Sequence, residues 1–420
     1  MVNVKMKKYI ILFNSIAGMG GGQMYVRNKL IFMREKGWDA YIVSWFGDKI
    51  LIPEFECYKE LTFKEMTLTP MTLENKEVDY YIEKIIKMTN IKEKDEVIVE
   101  SNTPVMAYWG EILAKKIAAK HIVYLLDERN DLLVSEKYLS FFYFKLKRRE
   151  LAGINTKAID LLFRRYRGYI ADESAMLPAV CQNVVEDYDS KLMCNYSHER
   201  VNICVIGRLE KPFILPAAKA IEKITMTHLE DKFTVWFIGA SDNGNTEIEL
   251  VSLFANHENV ELIITGYLFP IPIKLLKGMD YCISSAGSAW VAYREGIVTI
   301  SIDAHYSQAI GILGYTTQNT LYRKEEPRQN IEKLLNKVMY ENELNKYEFV
   351  PSDYKPDINS LEKHIAFLEE SEKSKEYFNI NELHSVKDDI KKNIIRFLGI
   401  RNYFMLKTDI HTKRRKKNKR

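Results

Sequence analysis

Residues 14–27 read Asn14-Ser-Ile-Ala-Gly-Met-Gly-Gly-Gly-Gln-Met-Tyr-Val-Arg27, four glycines within five positions. An apolar run, Tyr9-Ile-Ile-Leu-Phe13, comes directly before them, and a helical pattern with Val26, Leu30 and Met33 on one face comes after. A glycine cluster between a strand and a helix meets one of two needs. One is positive φ in a tight turn. The other is close approach of an anion to the free N–H groups of the helix start, where the helix dipole also favours negative charge. The loop is not a Walker A sequence, because no Gly-Lys-Ser/Thr follows. It is not the dinucleotide fingerprint either, since Gln23 stands where its third glycine belongs. The plain alternative is a tight turn with nothing bound.

Outward from this loop, the same grammar repeats. Ala40-Tyr-Ile-Val-Ser-Trp45, Glu96-Val-Ile-Val-Glu100 and His121-Ile-Val-Tyr-Leu-Leu126 read as strands, with a helix at about 105–119. Residues 132–168 are aromatic and basic and read as helical, and 169–171 as a short strand. Polar, turn-forming residues interrupt at 181–200. The pattern then restarts with strands at 201–206, 233–238, 260–264, 281–284 and 298–302, and a helix whose apolar face is Ile214, Ala217, Ala218, Ile221 and Ile224. Alternating strands and helices predict parallel sheets covered on both faces. A chain of 420 residues exceeds one ordinary core. The expected fold is α/β, with two Rossmann-like domains facing a central cleft. The expected boundaries are 1–195, 196–358 and a C-terminal helical region with a basic tail at 359–420.

Composition excludes several classes. The formal net charge is +4, but residues 413–420 carry seven Lys and Arg, and without those seven the balance is −3. The body is therefore not a basic nucleic-acid binder, and no nucleic-acid partner is expected. Five scattered cysteines without a CxxC pair fit reduced thiols, not a disulfide framework or a zinc site. No HExxH occurs, and no metal or resident cofactor is expected. No apolar run has the length of a membrane span or of a signal-peptide core. The expected location is cytoplasmic, or peripheral at the inner face of the plasma membrane.

Three further stretches carry chemistry. Gly207-Arg-Leu-Glu-Lys-Pro212 puts Arg208 and Lys211 between a strand end and a helix start, the edge of an α/β sheet where ligands bind. An Arg fork beside a Lys point charge suits a diphosphate. Ser284-Ser-Ala-Gly-Ser-Ala289 offers small residues, with Ser285, Gly287 and Ser288 placed to hold phosphate oxygens and Ser288 a natural helix cap. Glu295, near the end of that helix, is a candidate for a sugar or ribose hydroxyl. Asp127, after the 121–126 strand, is a candidate catalytic base or acceptor ligand, with a helix cap as the plain alternative.

These stretches together resemble the two-Rossmann-domain (GT-B) glycosyltransferases, in particular the large retaining family four. Gly20-Gly-Gly-Gln23 resembles the family's glycine loop. Val205-Ile-Gly-Arg-Leu209 with Lys211 resembles its Gly-Arg-Leu strand end and following Lys. Trp236-Phe-Ile-Gly239 and Ile264-Thr-Gly266 resemble its paired strand-end glycines, and 279–300 its donor block. The family's two glutamates of that block are replaced by Ile283 and Val291, and its proline by Val298, which leaves the stereochemistry open.

The resemblance implies transfer of a sugar from a nucleotide-sugar donor to a saccharide or lipid-linked saccharide acceptor, in bacterial surface polysaccharide synthesis. On that reading Gly20, Gly21, Gly22, Gln23, Arg208, Lys211, Ser285, Gly287, Ser288 and Glu295 bind the donor. The nucleotide sugar is a co-substrate. The basic residues 413–420 face an anionic membrane surface. The alternatives are a nucleotide-sugar epimerase or hydrolase of the same fold, and a non-catalytic membrane-surface scaffold.

Overall fold

The computed structural model describes residues 5–126, 138–163, 172–352 and 358–406. The chain divides into two compact units. The first comprises Met1–Gly18, Tyr25–Val180 and Pro356–Arg420, and the second Met19–Met24 and Cys181–Lys355.

In the first unit strands and helices alternate: β1 (Lys7–Ser15), α1 (Gly21–Glu35), β2 (Asp39–Phe46), α2 (Asn75–Met88), β3 (Glu96–Ser101), α3 (Pro104–Ile117) and β4 (Lys120–Leu125). Then come α4 (Leu139–Lys147), β5 (Leu151–Gly153) and α5 (Thr156–Phe163). The five strands form one parallel sheet in the order β2-β1-β3-β4-β5. Central strands buried on both faces read as continuous apolar runs, and Tyr9 to Phe13 of β1 are all buried. The segment expected to be helical throughout 132–168 instead contains the edge strand β5, because Leu151, Ala152 and Gly153 pair with β4. Three residues are too few to show a period. The strand expected at 169–171 lies outside the described residues.

The second unit has β6 (Val185–Glu186), β7 (Val201–Ile206), α6 (Ile214–Thr227), β8 (Phe233–Ile238), α7 (Asn245–Phe254), β9 (Val260–Ile264) and β10 (Ile271–Pro272). It continues with α8 (Ile273–Lys277), β11 (Tyr281–Ser284), α9 (Gly287–Arg294), β12 (Val298–Ile302), β13 (Ala309–Ile312) and α10 (Ile331–Tyr340). The main sheet runs β13-β12-β11-β7-β8-β9. Its core strands are parallel, and β13 is an antiparallel edge. The apolar face of α6 foreseen from the sequence is buried at all five positions, in a core with Val205, Phe237 and Ile300. The other face of the sheet packs Trp236, Cys204 and Cys282 against Leu275 and Ile297.

The chain order of this sheet reverses at β7, whose neighbours are β8 on one side and β11 on the other. That makes the β7–β11 gap a topological switch point, where the two following helices leave on opposite faces and open a crevice beyond the strand ends. Ser284 Oγ donates to Ile206 O at 2.6 Å and ties the two strands together at this point.

The last segment carries α11 (Glu362–Glu370) and α12 (Val386–Leu398). The expected third region at 359–420 is not separate, because its described part packs on the first unit. Phe378 N donates to Glu111 Oε1 at 2.7 Å, Tyr377 Oη to Ala119 O at 2.9 Å, and Lys120 Nζ to Leu368 O at 2.9 Å. Among the described residues no helix is long and apolar enough to cross a membrane.

Candidate functional site

Within the second unit, a cavity of about 120 Å³ opens at the switch point. Arg208, Lys211 and Ser288 line it, together with Gly20 and Gly21 at the start of α1. Met19, Cys181, Asn183, Tyr267, Leu268 and Ile271 complete most of the wall.

Local backbone rules explain how these groups meet. Gly207 and Gly239 end neighbouring strands with φ +152° and +156°, and Gly207 N donates to Ile238 O at 3.1 Å. A Cβ on Gly239 would lie 1.9 Å from Gly207 O, so only glycine fits there. The chain then turns sharply, with Lys211 N donating to Arg208 O at 3.1 Å, and both cations come to one rim.

The electrostatics suit an anion. Burial first, and the Arg208 charge second, push the Lys211 ammonium down to about 8. No carboxylate bridges to Arg208 or Lys211 among the described residues. Lys211 Nζ sits 5.7 Å from the Phe213 ring centre, and Arg208 is exposed.

Two helix starts add donors. The N–H groups of Gly21 and Gly22 in α1, and of Gly287 and Ser288 in α9, find no acceptor among the described residues. Ahead of α9, Ala286 is held at φ 57°, ψ −137°, a conformation costly for an L-residue. Its N–H donates to Thr320 O at 2.6 Å. At Gly20 a Cβ would crowd Gln23 Oε1 at 3.2 Å and stand in ordinary contact with Arg208 Nε at 3.8 Å.

The residues named from the sequence thus divide. Gly20, Gly21, Arg208, Lys211 and Ser288 share one cavity. Gly22 and Gln23 continue the first turn of α1 behind it. Gly287 packs against the Cys181–Gln182 backbone, 3.4 Å from where its Cβ would be. Ser285 is buried and its Oγ donates to Thr320 O at 3.4 Å, so the hydroxyl serves the loop rather than the cavity wall. Glu295 caps the far end of α9, seven residues and roughly 10 Å of helix from Ser288, and does not line the cavity. Asp127 and residues 413–420 lie outside the described residues.

Sequence reading missed Cys181, Asn183 and Tyr267. Cys181 and Asn183 come from the polar stretch that broke the pattern. Tyr267 directly follows the recognised Ile264-Thr-Gly266 strand end, which was the signal available for it. Its phenol donates to Asp242 Oδ1 at 3.1 Å, and burial first, then that hydrogen bond, push it up to about 12. The group of metal-capable side chains His228, Glu230 and Asp231 stands before β8, at the opposite edge of the sheet from Arg208. There His228 stacks on Tyr340 at 3.7 Å and Asp231 accepts from the Tyr340 hydroxyl at 2.7 Å.

This chain is similar over most of its length to several solved structures. A glycosyltransferase from Rickettsia africae superposes with a TM-score of 0.54 at 17% identity, over 93% of this chain and 99% of that one. The fold is GT-B. A putative UDP-N-acetylglucosamine 2-epimerase from Listeria monocytogenes gives 0.52 at 12% identity, over 90% and 100%. Anabaena HepE, solved with UDP and glucose, gives 0.52 at 12%, over 86% and 94%. These likenesses establish the GT-B fold and do not single out family four. No protein-family model matches the sequence, and no curated protein matches it.

Proposed function

We propose that this GT-B chain is a nucleotide-sugar-dependent glycosyltransferase whose second unit holds the donor diphosphate. The observation that carries the proposal is the pair Arg208 and Lys211, two cations without carboxylate partners among the described residues, on the rim of a switch-point cavity. In this reading the free N–H groups of α1 and α9 take up phosphate oxygens, and the two cations stabilise charge that grows on the leaving diphosphate. The structural likeness to HepE, solved with UDP, favours a uridine nucleotide. Asp127 is assigned to the acceptor hydroxyl, and the acceptor is a saccharide, lipid-linked, of a bacterial surface polysaccharide. Transfer is favoured by the likeness to the Rickettsia africae glycosyltransferase over 93% of this chain.

A second reading, epimerisation or hydrolysis of the same donor, is favoured by the likeness to the Listeria putative epimerase across that entire chain. Two experiments test the assignment. Calorimetry with UDP compares the native protein with Arg208→Ala/Lys211→Ala, for which affinity should fall at least roughly tenfold, as expected for lost charge-assisted hydrogen bonds. Unchanged affinity removes the site. Chromatography of UDP-glucose and UDP-N-acetylglucosamine after incubation without acceptor then separates the reactions. A donor left intact supports transfer, and an isomerised or hydrolysed sugar at full rate establishes the second reading.

A further inference from the structure

Helix α12 presents its apolar side outward. Val386, Ile390, Ile394 and Phe397 are spaced four, four and three residues apart, which places them on one face. Their exposures are 75%, 56%, 42% and 88%. The opposite face is fixed against the first unit. Ile395 is buried there, the Tyr138 hydroxyl lies 3.4 Å from both Asp388 carboxylate oxygens, and Lys392 pairs with Glu74 at 3.4 Å. A capping box fixes the helix start, with Ser385 N donating to Asp388 Oδ2 at 2.9 Å and Asp388 N to Ser385 Oγ at 3.3 Å. The outward stripe is therefore a stable feature of a well-anchored helix. Met405 and Leu406 extend the exposed apolar surface beyond it.

Charge identifies what covers this face. Lys387 and Arg396 flank the stripe, and Arg401 follows. Of the two acids in the helix, Asp388 is turned inward to the cap, and Asp389 pairs with His384 at 3.1 Å. The sequence then ends in the seven Lys and Arg of 413–420. A second copy of the chain would bring a basic rim against a basic rim. A nucleic acid would satisfy the cations and leave Phe397 in water. An anionic bilayer satisfies both, with apolar side chains below the headgroups and Lys and Arg at their level.

We propose that the Val386–Ile390–Ile394–Phe397 face of α12 docks on an anionic lipid surface, lying in its plane. The surface is on the first unit and is independent of the diphosphate cavity, so its failure and the failure of the assigned reaction are separable.

The test is co-sedimentation of the full chain with vesicles of phosphatidylcholine, with and without phosphatidylglycerol. The variant is Ile390→Glu/Phe397→Glu, two exposed positions whose exchange leaves the inner face of α12 untouched. UDP calorimetry and circular dichroism on the same samples confirm an intact fold. The native protein should bind the phosphatidylglycerol vesicles and not pure phosphatidylcholine, and the variant should partition at least roughly tenfold less. Three results overturn the proposal: native protein that stays in the supernatant, a variant that binds as tightly as native, or a native dimer in light scattering that the variant abolishes. The second would assign attachment to the terminal charges alone, and the third would make the occupant another copy of the chain.

Discussion

The Lys211 backbone N–H donates to the Arg208 carbonyl at 3.1 Å, a single turn that sets a guanidinium and an ammonium on one rim. The arrangement places like charges side by side: the Arg208 side chain reaches water, while burial first and the Arg208 charge second lower the proton affinity of Lys211.

That lowered affinity predicts a pH profile for nucleotide binding. The protonated ammonium is the form that attracts a diphosphate; it is half present at about 8 and approaches full occupancy about one pH unit lower. A bound anion raises its proton affinity, so binding draws in protons as pH rises past that value, and the association constant falls there. Calorimetry at about pH 7 and about pH 9 in buffers of different ionisation enthalpy reads both effects. Lys211→Arg should flatten the profile, because a guanidinium keeps its charge throughout.

Gly239 is a steric keystone. Gly239→Ala pushes a methyl into the Gly207 carbonyl and places an alanine at φ +156°. A loss of roughly 2 kcal/mol or more is expected in urea denaturation, with nucleotide affinity falling alongside as the β7 end shifts. The contrasting Gly296→Ala, where φ is +82° but no atom lies within 4 Å, should cost about 1 kcal/mol, the backbone term alone.

A buried network in the first unit predicts sensitivity to acid. His121 Nδ1 lies 2.7 Å from Glu111 Oε2, and Lys145 Nζ lies 2.5 Å from the same oxygen. Burial, then the Lys145 charge, push His121 down to about 4. For Glu111, burial works in the raising direction, but the His121 hydrogen bond and the Lys145 charge outweigh it and hold the carboxyl at about 2. An unfolded chain takes up a proton on histidine below about 6.5, which the folded His121 resists, so stability falls as pH drops from 6.5 towards 4. The Glu111 contribution is present above about 4.5 and is lost as pH falls towards 2. Glu111→Gln at pH 7 leaves the Lys145 ammonium with Glu150, at 3.0 Å, as its remaining carboxylate and should cost about 1–3 kcal/mol in denaturant titration.

The same network has a hydrolase-like geometry that we predict to be inert. Ser101 Oγ lies 2.9 Å from His121 Nε2, which completes a Ser–His–Glu line with Glu111. All three side chains are fully shielded from solvent or nearly so. A fluorophosphonate probe should leave Ser101 unlabelled in the folded protein, and labelling would mean that the first unit opens to solvent.

Thiol chemistry separates the cysteines. Burial pushes the Cys181 thiol up to about 12, although it borders the cavity, whereas Cys57 and Cys194 are exposed. Iodoacetamide near pH 8 should modify Cys57 and Cys194 and spare Cys181, as read by peptide mass spectrometry.

Much of the fold was legible because strands such as Tyr9 to Phe13 and Phe233 to Ile238 are largely apolar on both faces, and the second ends at Gly239. β5 and β13 were not, since an edge strand of three or four residues takes its identity from its partner. The attachment of the C-terminal segment was hidden for a related reason. Its decisive bonds, such as Phe378 N to Glu111, join residues far apart in sequence and leave no local pattern. In the site, Arg208, Lys211 and Ser288 could be read because each sits where a strand hands over to a helix. Tyr267 and Cys181 could not, since their role comes from which loops the sheet order makes neighbours. Glu295 closes α9 away from the cavity wall, a position that its nearness in sequence to Ser288 does not convey.

The return of the C-terminal segment to the first unit bears on how the protein is made. Arg148 and Glu111 are buried early in the chain, yet Ser374 Oγ accepts from Arg148 Nη1 at 3.0 Å and Phe378 N donates to Glu111. On the ribosome these groups wait 226 and 267 residues for their partners, while 181–355 emerge as an almost continuous folding unit. The half translated first is thus the half completed last, and a nascent chain halted before residue 374 would carry unsealed ionic groups that invite capture by chaperones.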